Sequence, residues 1–372
     1  MHLLTRSLVA SILLCSVAFA APAQRASEYR LIGYVAGWEK FPRIDVEKLT
    51  AINYAFAHVV DGRVVLDHPG ASDFLRRLRA LKSRNPQLKI LVSVGGWGAD
   101  GFSDASLTDA SRTKFAQSAA TLIAQHQLDG IDLDWEYPGL PGPGIVHRDD
   151  DQRNFTLLLA SLRRSLDALA SERSRKGNRY LLTAALADGE FVAHIEFDRI
   201  HEYLDWIDLM TYDFHNSLTA TTGHHAGLAR SVTSAADERS VERAVSQYAA
   251  AGVPARKLIV GVPFYGRAFA DVQPDNNGLD QRFGHYEGDH PWPQLVADFI
   301  DRNGFVRHWD AVAQVPYLWN AQTHVFVSYD DPQSLALKAA FVKAHGLGGI
   351  MYWEQTQDPR GELLGVLARG LR

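Results

Sequence analysis

The chain of 372 residues contains one cysteine, Cys15, so no disulfide framework holds it together. Cys15 lies in an apolar N-terminal stretch, residues 8–19, that follows the positive charge of Arg6. The stretch is too short for a comfortable membrane span, and no later stretch is long enough. Small residues follow at Ala18-Phe19-Ala20 and Ala21-Pro22-Ala23, so residues 1–23 read as a signal peptide. Leu14 is a poor match to the small residue expected before a lipidated cysteine. The expectation is plain secretion, extracellular or periplasmic, with no membrane contact after cleavage. Residues 24–372 then carry no cysteine and must be stabilised by their core alone.

The chain has no excess of positive charge. It carries 38 Lys and Arg against 43 Asp and Glu, a net charge of -5, and loss of Arg6 takes this to about -6. Neither nucleic acid nor an anionic membrane is implied as a partner. A Pro/Ser/Thr-rich linker and a second compact module are also absent. No zinc spacing occurs among the fifteen histidines; His215, His224 and His225 read as loop hydrogen-bonding residues, with no histidine beside the acids described below. No cofactor or metal is expected, and a monomer is the default. Eight Trp and thirteen Tyr are present. Flat rings shown to solvent suit stacking on sugar faces, although many will be core.

Apolar strand-like runs occur at 29–36, 50–57, 88–94, 130–136, 180–187, 206–212, 257–265 and 348–353. Helical patterns at 71–83, 111–127, 152–172, 240–251 and 332–344 fall between most of them. Eight βα units with buried strands point to an α/β fold, a (β/α)8 TIM barrel. A doubly wound open sheet is the runner-up, but no Gly-rich phosphate loop follows the first run. More than sixty residues separate the seventh run from the helix near 332, more than a loop should hold. Residues 268–330 are therefore expected to form an inserted α+β subdomain between strands seven and eight, beside the barrel mouth.

Residues 129–136 read D-G-I-D-L-D-W-E. A strand turns alternate side chains to opposite faces, so Asp132, Asp134 and Glu136 share one face and Ile131, Leu133 and Trp135 the other. Three clustered carboxylates in a buried strand cannot all ionise cheaply. Such a cost is accepted mainly where a protonated acid is useful, as in general acid catalysis. A solvated face is disfavoured by the flanking pattern, and a calcium loop by the lack of alternating oxygen ligands around a tight Gly turn. Asp129 is off the acidic face and reads as structural. Other strand ends also carry polar or aromatic residues: Ser93-Val94-Gly95-Gly96-Trp97, Met210-Thr211-Tyr212-Asp213, Pro263-Phe264-Tyr265-Gly266-Arg267 and Met351-Tyr352-Trp353-Glu354. Barrel active sites sit at these ends.

Together these segments resemble glycoside hydrolase family 18, the bacterial and fungal chitinases. The D-x-x-D-x-D-x-E pattern is met by Asp129, Asp132, Asp134 and Glu136, S-x-G-G by Ser93, Gly95 and Gly96, M-T-Y-D at 210–213 and G-V-P-F-Y-G-R at 261–267. The resemblance implies a chitinase acting on chitin or chito-oligosaccharides by a retaining, substrate-assisted mechanism. Glu136 would be the acid and base, and Asp134 would orient the N-acetyl group while sharing a proton with Asp132. Tyr212 would position the N-acetyl carbonyl, Asp213 would contact the distorted sugar, and Trp353 would form the subsite floor. Trp97, Gly96, Met210, Tyr265 and Arg267 would bind substrate, with Tyr34, Phe56 and Ser93 as further candidates. Leu218 stands where many relatives carry a tryptophan, which implies weaker product-side binding. The alternatives are an endo-β-N-acetylglucosaminidase on N-glycans, a peptidoglycan hydrolase, and a chitin-binding lectin; retention of Glu136 argues against the lectin.

Overall fold

The computed structural model describes residues 29–174 and 179–372; the expected signal peptide lies outside them. Among the described residues fourteen strands occur in chain order. They are β1 (Arg30–Ala36), β2 (Ala51–Val60), β3 (Arg63–Val65), β4 (Lys89–Gly95), β5 (Gly130–Asp134), β6 (Leu181–Leu186) and β7 (Trp206–Leu209). There follow β8 (Leu258–Pro263), β9 (Tyr265–Ala270), β10 (His285–Pro291), β11 (Val306–Asp310), β12 (Val315–Asn320), β13 (Val325–Ser328) and β14 (Gly349–Trp353).

Eight of these strands pair in parallel in the order β1-β14-β8-β7-β6-β5-β4-β2, and the β1–β2 pairing closes the ring. The fold is a (β/α)8 barrel. β3 is a hairpin extension of β2. One apolar cluster lies between strands and helices, with Leu133, Phe155, Leu162 and Tyr248 among its fully buried members; each fully buried Leu or Phe contributes about 1.5–3 kcal/mol. A second cluster fills the bore, including Ile32, Ala55, Leu91, Ile259 and Met351. Helix Asp109–His126 opens on a reciprocal cap between Thr108 and Ser111, and helix Pro332–Ala344 on one between Asp331 and Ser334.

A second, antiparallel sheet has the order β10-β9-β13-β12-β11 and its own small core of Phe269, Tyr317, Trp319 and Phe326. A short helical segment at Trp292–Gln294 and Leu295–Phe299 follows β10.

Three strands end sooner than their apolar runs. β7 stops at Leu209 because the Thr211 side chain takes over the ladder, donating to Gly261 O at 2.7 Å and accepting from Gly261 N at 3.0 Å. The run 257–265 holds two strands, since β8 stops at Pro263, which has no N–H to donate, and β9 starts after the single residue Phe264. β5 ends at Asp134, so Trp135 and Glu136 lie past the ladder. Trp135 stays buried, stacked on Phe102 at 5.3 Å.

Candidate active site

Asp132 lies inside the bore with no exposed surface. Its carboxylate takes three hydroxyl hydrogen bonds: from Tyr34 and Ser93 to Oδ2, each 2.7 Å, and from Thr183 to Oδ1, 2.6 Å. Burial raises its pKa, and the three hydroxyls oppose the rise. Asp134 is one pleat nearer the mouth, and its Oδ1 has no hydrogen-bond partner. Burial pushes Asp134 well above the carboxylate range, and the charges of Glu136, Asp132 and Asp208 add to the effect. Glu136 is pushed up to about 7 by burial, with Tyr137 opposing and Asp213 reinforcing the shift. The row therefore runs from a carboxyl held by three hydroxyl donors to an acid at the mouth with a pKa of about 7.

Gly95 and Gly96 set the neighbouring wall. Gly95 has φ +122°, and a Cβ there would meet the Asp134 carbonyl oxygen at 1.9 Å. Gly96 has φ +96°, and a Cβ there would press on the Phe56 ring at 2.6 Å. Only glycine fits both the backbone and the close approach.

Asp213 itself has φ +59°, a left-handed conformation that Asp tolerates better than most residues. Its Oδ1 accepts from the Tyr265 hydroxyl at 2.6 Å and from Arg267 Nε at 2.5 Å. Arg267 also donates to Tyr286 Oη at 2.6 Å and Asp289 Oδ1 at 3.1 Å. Burial alone would raise Asp213, but His225 and Arg267 outweigh it and hold the carboxyl well below its ordinary range. His225 Nδ1 stands 3.6 Å from Asp213 Oδ1, too far for a hydrogen bond but close enough to act electrostatically. This corrects the expectation that no histidine sits beside the acids. Burial raises Tyr212 well above its ordinary value, and Asp134 adds to this, so the phenol keeps its proton.

A groove of about 1090 Å³ runs over these groups. Of the predicted residues, Asp134, Glu136, Tyr212, Asp213, Trp97, Gly96, Met210, Tyr265, Arg267, Trp353 and Phe56 line it. Tyr34 and Ser93 do not. Both were expected among substrate-binding residues; both are buried under the groove, with their hydroxyls on Asp132. Asp129 accepts from Lys82 at 2.5 Å and from Ile90 N at 2.8 Å, tying β5 to its surroundings away from the groove. Leu218 is exposed on the groove wall.

Two aromatic clusters flank the acids. Phe56 stacks on both Trp38 and Trp353, at 6.1 and 5.7 Å, and the two indoles lie tilted at 6.4 Å. Trp97, Tyr137 and Phe191 form the other, at 6.3 and 4.0 Å. Trp38, Tyr137 and Phe191 were not foreseen from the sequence. Neither were Thr183, Asn53 and Asp208, polar groups inside the bore. Asp208 is fully buried, accepts from Asn53 Nδ2 and Trp206 Nε1 at 3.3 Å each, and leaves Oδ1 unpartnered. It shares a face with Met210 and Tyr212 at period two, a signal that could have found it.

The chain matches glycosyl hydrolases family 18 over residues 30–358. Chitinase A1 of Niallia circulans is 36% identical over 95% of this chain, which spans only 60% of that protein. Chitotriosidase-1 of Mus musculus is 34% identical, covering 90% of this chain and 74% of its own length. A solved family 18 N-acetylglucosaminidase from Paenibacillus barengoltzii superposes with a TM-score of 0.86 at 41% identity, over 92% of this chain and 99% of that one. With its barrel, its graded acids and these matches, the chain belongs to glycosyl hydrolase family 18.

Proposed function

We propose that the protein is a secreted chitinase that hydrolyses β-1,4 linkages between N-acetylglucosamine units with retention of configuration. The observation that carries this reading is the grading of the acid row. Glu136, with a pKa of about 7, can protonate the glycosidic oxygen and later take a proton from water. Asp134 is buried and pushed well upward, so it holds a proton in the free enzyme and can pass it to Asp132 when the N-acetyl group arrives. The attacking group is the substrate's own N-acetyl oxygen, since family 18 is an established exception to the two-carboxylate scheme.

The bond between the anomeric carbon and the leaving oxygen breaks as Glu136 gives up its proton. The acetyl oxygen closes on the anomeric carbon to form an oxazolinium ion. Asp134 accepts from the N-acetyl N–H once its proton has passed to Asp132, and stabilises the cation. Tyr212 donates to the acetyl oxygen's carbonyl and aligns it. Water then attacks the anomeric carbon from the departed side, Glu136 takes its proton, and the acetyl group is restored. The acids titrate as one coupled set.

The exposed rings of Trp38 and Trp97 support several sugar units in line, as in a chitin chain. No helix among the described residues is long and apolar enough to cross a membrane, and residues 1–23 would serve export. A second reading, release of single N-acetylglucosamine units, draws on the likeness to the Paenibacillus barengoltzii N-acetylglucosaminidase.

The test is hydrolysis of chitotetraose and chitohexaose by the purified protein and by Glu136→Gln, with products resolved by length and anomer. Disaccharide with the β-anomer, lost in the variant, supports the chitinase; monosaccharide supports the second reading. An initial α-anomer would exclude retention, and binding without cleavage by the unsubstituted protein would make it a lectin.

A further inference from the structure

The second sheet reaches the site along one register row. Asp289 on β10, Arg267 on β9 and Ser328 on β13 lie side by side. Arg267 grips Asp213 directly. Ser328 acts one residue further back, its Oγ accepting from His225 N at 2.9 Å. His225 O in turn accepts from Phe214 N at 3.1 Å, in the segment that carries Asp213. His225 is thus fixed by its main chain between the second sheet and the loop after β7.

Its imidazole has no exposed surface, and neither ring nitrogen has a hydrogen-bond partner. An unsatisfied buried polar group is costly, so such a ring needs a reason to be there. The charged groups that act on it are Asp213, Arg267 and Asp330, and the Tyr265 ring packs on it at 5.4 Å. Asp213 carries all its side-chain hydrogen bonds from Tyr265 and Arg267 on Oδ1, the oxygen His225 faces.

We propose that His225 is a positioning residue: with its proton on Nδ1 it steadies Asp213 through Oδ1 and leaves Oδ2 for a sugar hydroxyl in the groove. This rests on the reading of Asp213 as a sugar contact. Burial holds His225 below its ordinary pKa against the pull of Asp213, so the ring is neutral and acts on Oδ1 through the dipole of a single N–H at 3.6 Å. A charged ring would be repelled by Arg267.

The experiment compares His225→Phe, which keeps a flat ring without nitrogen, and His225→Asn, which restores an N–H donor, each alone and with Asp213→Asn. Loss of the contact should lower kcat/KM on chitotetraose about tenfold in His225→Phe. His225→Asn should recover most of this, and His225→Phe should cost nothing further beside Asp213→Asn. Equal losses in Phe and Asn, or an additive loss in the double variant, would overturn the proposal. A second measurement needs no turnover: in histidine-labelled protein, Asp213→Asn should shift the His225 ring resonances, and unmoved resonances would overturn the contact even if His225→Phe failed to fold. If the unsubstituted protein cleaves no chito-oligosaccharide while the resonances shift, the functional reading fails and the Asp213–His225 pairing stands.

Discussion

Tyr34 on β1 reaches across the bore to Asp132 on β5 and donates a 2.7 Å hydrogen bond to its Oδ2. It shares that oxygen with Ser93. Hydrogen bonds to a charged group contribute about 1.5–3 kcal/mol each, and here they favour the ionised form. Tyr34→Phe or Ser93→Ala should therefore raise the pKa of Asp132. In a pH profile of kcat/KM the acid limb should move to higher pH in both variants, with the alkaline limb in place. An acid limb unchanged in both would show that Asp132 is not the group titrating there.

Glu136 should define the alkaline side. Its pKa of about 7 means that the proton needed for the leaving group is lost above that pH. Activity should fall as pH rises through this value. The negative charge of Asp213 helps keep the proton on Glu136, so Asp213→Asn should move the alkaline limb to lower pH as well as reducing kcat. A limb that moved upward would contradict the electrostatic assignment.

Asp208 should govern stability rather than turnover. Burial, followed by the charge of Asp132, raises it well above its ordinary value. The folded protein then keeps a proton that the unfolded chain releases above the usual carboxylate range. Folding takes up that proton, so stability falls as pH rises from the ordinary value toward the raised one. Asp208→Asn lacks this dependence. Its melting temperature should gain on the unsubstituted protein progressively between acid and alkaline pH, and a constant difference would rule the linkage out.

Leu218 offers an aliphatic surface where a ring could stack, and it is 75% exposed. Leu218→Trp should tighten binding of chitohexaose by about 0.5–1.5 kcal/mol, measured by calorimetry in the Glu136→Gln background. Equal affinity would mean that the position lies off the substrate path.

The barrel and the acid row were legible because each rests on periodicity, and the second sheet because the connection after the seventh run is too long for a loop. Runs of buried strands mark a parallel ring, and alternation places Asp132, Asp134 and Glu136 on one face. Period two gives a face but not a depth, which is why Tyr34 and Ser93 were expected in the groove and stand beneath it. Strand ends were overrun where side chains replaced the ladder, as at Thr211, or where an apolar residue bridged two strands, as at Phe264. His225 was illegible for a different reason. Eleven residues of loop separate it from Asp213, and the docking of its main chain on Ser328 and Phe214 brings the two together.

β8 and β9 are joined through Phe264 alone, so the first strand of the second sheet is grafted onto the barrel frame without slack. Tyr265 and Arg267 inherit their positions from the barrel, whatever happens further along the sheet. The turn at 321–324 between β12 and β13 is exposed and lies outside that constraint. The far edge of the sheet and the catalytic geometry are thus separable variables in this fold: that turn can lengthen or shorten through drift or design while the grip on Asp213 keeps its register.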